Sequence, residues 1–170
     1  NEIEQVVQYD KEGNVISQSE IKAGSGDLNI ITPSGAVRYQ TQYRCGLSEG
    51  KTSIFYADGQ VDTEYDIRQG KFHGTAKAFF PNGVTAFEGF MEEGEFDSTW
   101  TYYDIHGKLS SQSTYKKGLA QGLHTFYYDN GQEESVCNYT DNEKDGECRY
   151  FAQDGALQLV KQYDSRSGLL

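Results

Sequence analysis

Apolar and polar positions alternate in short blocks along this chain, and the blocks recur. Val61, Thr63, Tyr65 and Ile67 alternate with Asp62, Glu64 and Asp66, and Phe87 and Met91 alternate with Glu88. A period of two is the mark of a strand with one face covered. Each block is followed by a glycine-bearing turn such as RQGKFHG, where Gly70 and Gly74 can take positive φ. A second short strand such as TAKAFF comes next, then a second turn such as PNG. Each unit therefore reads as a β-hairpin, and successive hairpins read as a meander.

The unit is copied at constant length. Gly59, Gly83, Gly107, Gly131 and Gly155 are spaced at steps of 24 residues, and Gly35 lies 24 before Gly59. Gly13 lies 22 before Gly35, so the first repeat is two residues short. A second column runs Gly46, Gly70, Gly94 and Gly118, with Asn142 in register, and a third runs Gly50, Gly74, Ser98, Gly122 and Gly146. Internal periodicity of this kind defines the architecture before any other signal. The expected fold is all-β: an elongated, single-layer antiparallel β-meander of about six 24-residue hairpins. Residues 1–170 form one array, with repeats near 9–30, 31–54, 55–78, 79–102, 103–126 and 127–150 and a partial one at 151–170. No linker or second domain is expected.

Folding each hairpin about its turn sets Thr41 opposite Thr52, Tyr65 opposite Ala76, Gly89 opposite Trp100, Ser113 opposite His124 and Cys137 opposite Cys148. The flanking pairs are Thr63 with Ala78, Phe87 with Tyr102, Ser111 with Phe126 and Ser135 with Tyr150. Sizes compensate within pairs, the single Trp facing a Gly, as opposed side chains must share space. Two columns are predominantly aromatic. One holds Tyr9, Ile31, Phe55, Phe79, Tyr103, Tyr127 and Phe151. The other holds Ile21, Tyr43, Ile67, Met91, Tyr115, Tyr139 and Tyr163. Stacked one repeat apart, they are expected to form ridges that hold neighbouring repeats together.

Composition supports this picture. Aromatic residues make up 14% of the 170 residues, too many for a disordered chain, and the abundance of Gly and Tyr with comparatively few good helix formers argues against a helical one. The formal net charge is −11. That balance opposes nucleic-acid binding and docking on anionic lipid, both of which require a basic surface. No apolar run is long enough to span a membrane.

The pattern in YYDIHGKLSSQSTYKKGLAQG and YYDNGQEESVCNYTDNEKDG resembles the bacterial MORN-repeat-variant family, some members of which are labelled YwqK-type antitoxins. The resemblance covers roughly Tyr9 to Tyr163, with Ser98 and Asn142 in place of turn glycines. It implies a twisted single sheet of hairpins with protein-interaction or scaffolding roles. No catalytic residues carry over from it.

Several local motifs carry competing readings. CGLSEGKTS has three residues between Gly46 and Gly50 where a phosphate-binding loop needs four, and both glycines belong to repeat columns. DNEKDGE has Glu143 and Ala152 where a calcium loop needs Asp or Asn and Glu, so it reads as a polar turn. His73 and His106 are expected in turns and His124 in a strand, with no metal-ligand spacing among them. The pairs Glu92 with Glu93 and Glu133 with Glu134 read as solvated surface. Asn138-Tyr139-Thr140 matches a glycosylation sequon, relevant only in a eukaryotic secretory pathway. No metal, cofactor or catalytic residue is expected, and the chain is read as a non-enzyme.

Cys137 and Cys148 bracket one hairpin, so a cross-strand disulfide and a packed pair of thiols are both open, while Cys45 is expected as an exposed free thiol. An acidic, Tyr- and Gly-rich surface with a candidate disulfide points to an exported protein, periplasmic or at the cell surface, with the cytoplasm as the alternative. The leading functional expectation is a non-catalytic interaction module whose partner is an unidentified protein. The binding candidates are Phe55, Phe79, Tyr103, Tyr127 and Phe151. Self-association through an open sheet edge is compatible with the same fold. The alternative is carbohydrate or cell-wall binding, because a row of rings on a sheet can stack on sugar faces.

Overall fold

The computed structural model describes residues 5–164, and among these every regular element is a β-strand. The chain forms two compact units, Asn1–Gly83 and Val84–Leu170. The division falls in the turn at Gly83, whose N–H donates to the Phe80 carbonyl at 2.8 Å.

In the first unit, β1 (Gln5–Tyr9) and β2 (Val15–Glu20) form a hairpin of their own. The sheet proper starts at β3 (Gly26–Ile31) and continues through β4 (Val37–Arg44), β6 (Gly50–Phe55), β7 (Val61–Arg68) and β8 (Lys71–Phe79). The two-residue β5 (Leu47–Ser48) is the start of the β6 strand, interrupted at Glu49. In the second unit, β9 (Thr85–Glu92), β10 (Glu95–Tyr103), β11 (Leu109–Lys116), β12 (Leu119–Tyr127), β13 (Glu133–Thr140), β14 (Glu143–Phe151) and β15 (Leu157–Tyr163) pair antiparallel in chain order. The hairpin meander expected from the 24-residue period is the architecture of both units.

Two turn types alternate. The first is a two-residue turn with both residues at positive φ: Gln69 and Gly70 at 51° and 78°, and Lys117 and Gly118 at 51° and 76°. Such turns match the right-handed twist of the flanking strands. The second closes three residues with Gly in the left-handed region, as where the Gly59 N–H donates to the Tyr56 carbonyl and the Tyr56 N–H to the Gln60 carbonyl. In the equivalent turn, the Asp104 carboxylate accepts from the backbone N–H groups of Lys108 and His106. Those bonds, that to Lys108 foremost, hold its carboxyl below the ordinary value.

RQGKFHG is a shorter connection than the sequence reads. The turn is Gln69-Gly70 alone, and β8 already starts at Lys71. Gly74, at φ 125°, serves a bulge instead: Ile67 pairs with Phe72 and Tyr65 with Ala76, so β8 has two extra residues against β7. His73 consequently lies in a strand beside that bulge. The bulge recurs in the second unit, with Ser98 at φ 59° where other repeats have Gly. Asn142 also replaces a glycine at positive φ, and its side-chain carbonyl accepts the Ala120 N–H at 2.7 Å.

The short first repeat has a structural consequence. β2 and β3 share only the Lys22–Ser25 bridge instead of a ladder. Side chains supply the missing bonds to β3. The Ile31 N–H donates to Gln8 Oε1 at 2.8 Å, Gln8 Nε2 donates to the Ile31 carbonyl at 3.3 Å, and the Asn29 N–H donates to Ser19 Oγ at 3.2 Å.

The opposed pairs define the more apolar face. Tyr65–Ala76, Thr63–Ala78, Phe87–Tyr102, Ser111–Phe126, Ser113–His124, Ser135–Tyr150 and Cys137–Cys148 are all in register. Buried Thr41 and Thr52 hydrogen-bond through their hydroxyls at 2.6 Å. Trp100 is only 2% exposed and donates its indole N–H to the Phe90 carbonyl at 3.1 Å.

Candidate functional site

The candidate residues Phe55, Phe79, Tyr103, Tyr127 and Phe151 each end a strand and precede a three-residue turn. All five are half-buried. Because neighbouring side chains alternate across a sheet, they lie on the face opposite the Ala78, Tyr102, Phe126 and Tyr150 positions that precede most of them. Their surroundings are polar. The Tyr103 hydroxyl donates to Glu88 Oε1 at 3.0 Å, and the Tyr127 hydroxyl donates to Gln112 Oε1 at 3.3 Å. Lys77 Nζ stands 5.5 Å from the centre of the Phe79 ring. Burial, then the bond to Glu88, pushes the Tyr103 phenol above its ordinary value. The next residues tie adjacent repeats together: the Tyr56 hydroxyl donates to the Phe79 carbonyl at 2.6 Å, and that of Tyr128 to the Phe151 carbonyl at 2.8 Å.

The opposite face carries a chain of ring contacts in the second unit. Phe87 lies 5.7 Å from Trp100, which is stacked with Phe96 at 4.1 Å. Phe96 meets Tyr115 edge-on at 5.4 Å, Tyr115 meets His124 at 5.6 Å, and His124 stacks on Tyr139 at 4.3 Å. Tyr115 and Tyr139 belong to the second aromatic column, and the structure joins them through His124. Sequence reasoning did not find Phe96 or His124 as links. The bulge is the reason: on a straight strand residues four apart share a face but stand about 13 Å from each other, and taking up two extra residues in β10 brings Phe96 and Trp100 to stacking distance. Burial, helped by the neighbouring Tyr115, pushes the Tyr102 phenol up to about 12.

His124 sets a pH dependence. Its Nε2 lies 3.1 Å from the Thr114 carbonyl, which can only accept, so this nitrogen carries the proton of the neutral ring. Burial lowers the imidazole pKa below 6.5, and the bond to Thr114 only partly opposes that. The unfolded chain therefore binds the proton more readily. This contribution to stability is fully present above about pH 6.5 and is lost as pH falls towards the lowered folded value. Urea midpoints between pH 7.5 and 5 are expected to fall less in His124→Gln than in the parent. An identical decline in the two proteins would contradict this assignment.

The bulges create repeat-related surface hollows. One of about 460 Å³ is lined by Asp97, Ser98, Thr114, Tyr115, Gln121 and Gly122 among others. Another, of about 420 Å³, includes Ser25, Gly26, Gln42, Tyr43, Glu49 and Gly50, the same repeat positions shifted by 72 residues (97 − 25 = 72). Acidic and basic side chains are mixed in both, with Glu92 and Lys117 in the first and Asp27 and Arg44 in the second.

The remaining sequence motifs resolve into the repeat. Gly46 sits at a turn tip and Gly50 at the bulge, while Lys51 pairs with Glu64 at 3.2 Å. In DNEKDGE, Asp141 and Asn142 form the turn, and Asp145 accepts the Thr140 hydroxyl at 3.1 Å. Asn138 donates its side-chain amide to the Asp145 carbonyl. Among the described residues no group of three or more His, Cys, Asp or Glu is placed to hold a metal, and no helix is long and apolar enough to cross a membrane. Cys45 is exposed and free. Cys137 and Cys148 face each other across β13 and β14 with Cα atoms 4.1 Å apart and their sulfurs joined.

A comparison with curated proteins finds no match. Residues 120–141 match the MORN repeat variant. The matched stretch runs from the second residue of β12 through β13 to the turn residue Asp141, and its length is close to one 24-residue period. The chain is thus an antiparallel array of hairpins, one of which, at residues 120–141, is similar to a MORN repeat variant.

Proposed function

We propose that the chain is a non-catalytic repeat module for protein–protein interaction or scaffolding. The observation that carries this reading is the apolar face of the second unit. There Phe126 and Leu159 stay 46% and 45% exposed beside the half-buried rings of Phe87, Tyr102 and Tyr150. Apolar side chains that stay exposed beside one another are what binding surfaces present. Tyr103, Tyr127 and Phe151 on the other face of that unit, and Phe55 and Phe79 in the first unit, are further contact candidates. A photoreactive benzoyl group on the ring at Phe126 or Tyr127 tests the reading. Cross-linking in native extract to one discrete protein, from one face and not the other, supports it. Equal labelling from both positions, spread over many proteins, would sink it.

One observation favours carbohydrate as the second reading. Tyr103 and Tyr127 offer half-buried rings with a carboxylate and an amide at their hydroxyls, the stacking-plus-polar combination that sugars require. Glycan-array binding abolished by Tyr103→Ala would select it.

A further inference from the structure

β15 is the edge strand of the second unit, and on its outer side it has no partner strand among the described residues. Three of its apolar side chains are exposed: Leu157 at 55%, Leu159 at 45% and Val160 at 42%. It contains no carboxylate and has no proline. Proteins normally blunt such an edge with a bulge, a proline or a covering segment, because its unpaired N–H and C=O groups accept another strand. The contrast within the same chain is instructive. At β3 the corresponding groups are bonded by Gln8 and Ser19.

Charge indicates what would add to this edge. The protein carries a net −11, yet two ammonium groups converge on one ring beside it. Lys144 Nζ lies 5.9 Å from the centre of the Tyr150 ring and 5.4 Å from that of Tyr163, and it donates to the Tyr150 hydroxyl at 3.4 Å. Lys161 Nζ lies 5.6 Å from the Tyr150 ring. Neither has a carboxylate partner among the described residues. The nearby Glu147 pairs with Arg149 at 3.4 Å and accepts from Gln162, which lies directly across the ladder from it. By register, Leu159 is opposite Tyr150, Lys161 opposite Cys148 and Tyr163 opposite Gly146, so all three share the aromatic face.

The geometry points to β15 as a docking edge for an extended acidic peptide segment of another protein. The segment pairs antiparallel with Leu157–Tyr163. It sets a carboxylate beside Lys161 and apolar side chains beside Val160 and Leu159, an acid–apolar–apolar sequence. The backbone ladder supplies affinity, and the ammonium pair selects charge. This inference rests on the reading of the chain as an interaction module and adds the place and the ligand class.

The test uses the full chain and a capped peptide, Thr-Glu-Val-Leu-Thr, with a Lys-for-Glu counterpart and a version N-methylated on alternate residues. Amide resonances are followed by NMR. The acidic peptide is expected to shift the β15 amides and to bind about ten-fold more tightly than its lysine counterpart. Lys161→Glu reverses that preference, and N-methylation abolishes binding, because it removes donors from the peptide and leaves the protein unaltered. Three results overturn the proposal: equal binding of the two charge forms; concentration-dependent pairing of β15 with a second copy; and concentration-independent protection of its outer amides by residues 165–170. Each is separable from failure of the interaction reading, which is scored by cross-linking on the sheet faces and not at this edge.

Discussion

Gly89→Ala is expected to destabilise the protein by about 1–3 kcal/mol, and to become neutral or mildly stabilising once Trp100 is also alanine. The backbone at Gly89 is not among those at positive φ, so the residue is not there for conformational freedom. It is there for space. A methyl group added at Gly89 would overlap the indole of Trp100, whose ring lies flat against the backbone. Phe96 closes the other side of that ring by stacking at 4.1 Å. Trp100→Ala alone is expected to cost about 3–5 kcal/mol, because it empties a buried aromatic site and takes the donor from the Phe90 carbonyl. In the double variant the overlap is gone and only strand propensity remains, where alanine exceeds glycine by roughly 0.5–1 kcal/mol. Urea unfolding followed by circular dichroism reads all four corners of the cycle. A Gly89→Ala penalty that persists without Trp100 would refute the steric account.

Opening the Cys137–Cys148 link is expected to cost about 3 kcal/mol, the chain-entropy figure for a closed loop of about a dozen residues. The pair sits in a cross-strand row between His124, opposite Cys137, and Lys161, opposite Cys148. Cys148 is fully buried and Cys137 nearly so, so a reductant reaches them only when β13 and β14 part. Cys137→Ala with Cys148→Ala should therefore lower the urea midpoint and make the parent's response to dithiothreitol disappear. Intact mass after alkylation without reductant should show one labelled thiol, that of the exposed Cys45. Three labels on the folded, air-exposed protein would mean that the hairpin carries two thiols.

The fold was readable because its determinants are local and repeated. Turn glycines at a fixed interval set the hairpins, and period-two blocks set the faces. Size pairing such as Gly89 against Trp100 gave the register without coordinates. What was not readable depends on departures from that period. The third glycine column reads as part of a turn, but it marks a bulge within the strand, and only the bulge aligns Phe96 with Trp100. The sequence sets His124 in a strand opposite Ser113 and does not reveal its stacking on Tyr139, which lies on the next strand. The separation of β1 and β2 from the first sheet follows from a repeat two residues short, and which side chains replace the lost ladder has no sequence signature. The candidate rings Phe55, Phe79, Tyr103, Tyr127 and Phe151 were legible as a column. Their polar neighbours were not, since Glu88 and Gln112 lie on the preceding strand, whose register against Tyr103 and Tyr127 passes through the two-residue bulge.

The bonds that the Gln8 amide and the Ser19 hydroxyl make to β3 bear on assembly. A fibril of stacked copies needs two exposed rims per molecule, so that every addition leaves another site behind it. On the β3 rim the Asn29 and Ile31 N–H groups and the Ile31 carbonyl are already bonded by the molecule's own side chains, so a strand adding there would first have to displace Gln8 and Ser19.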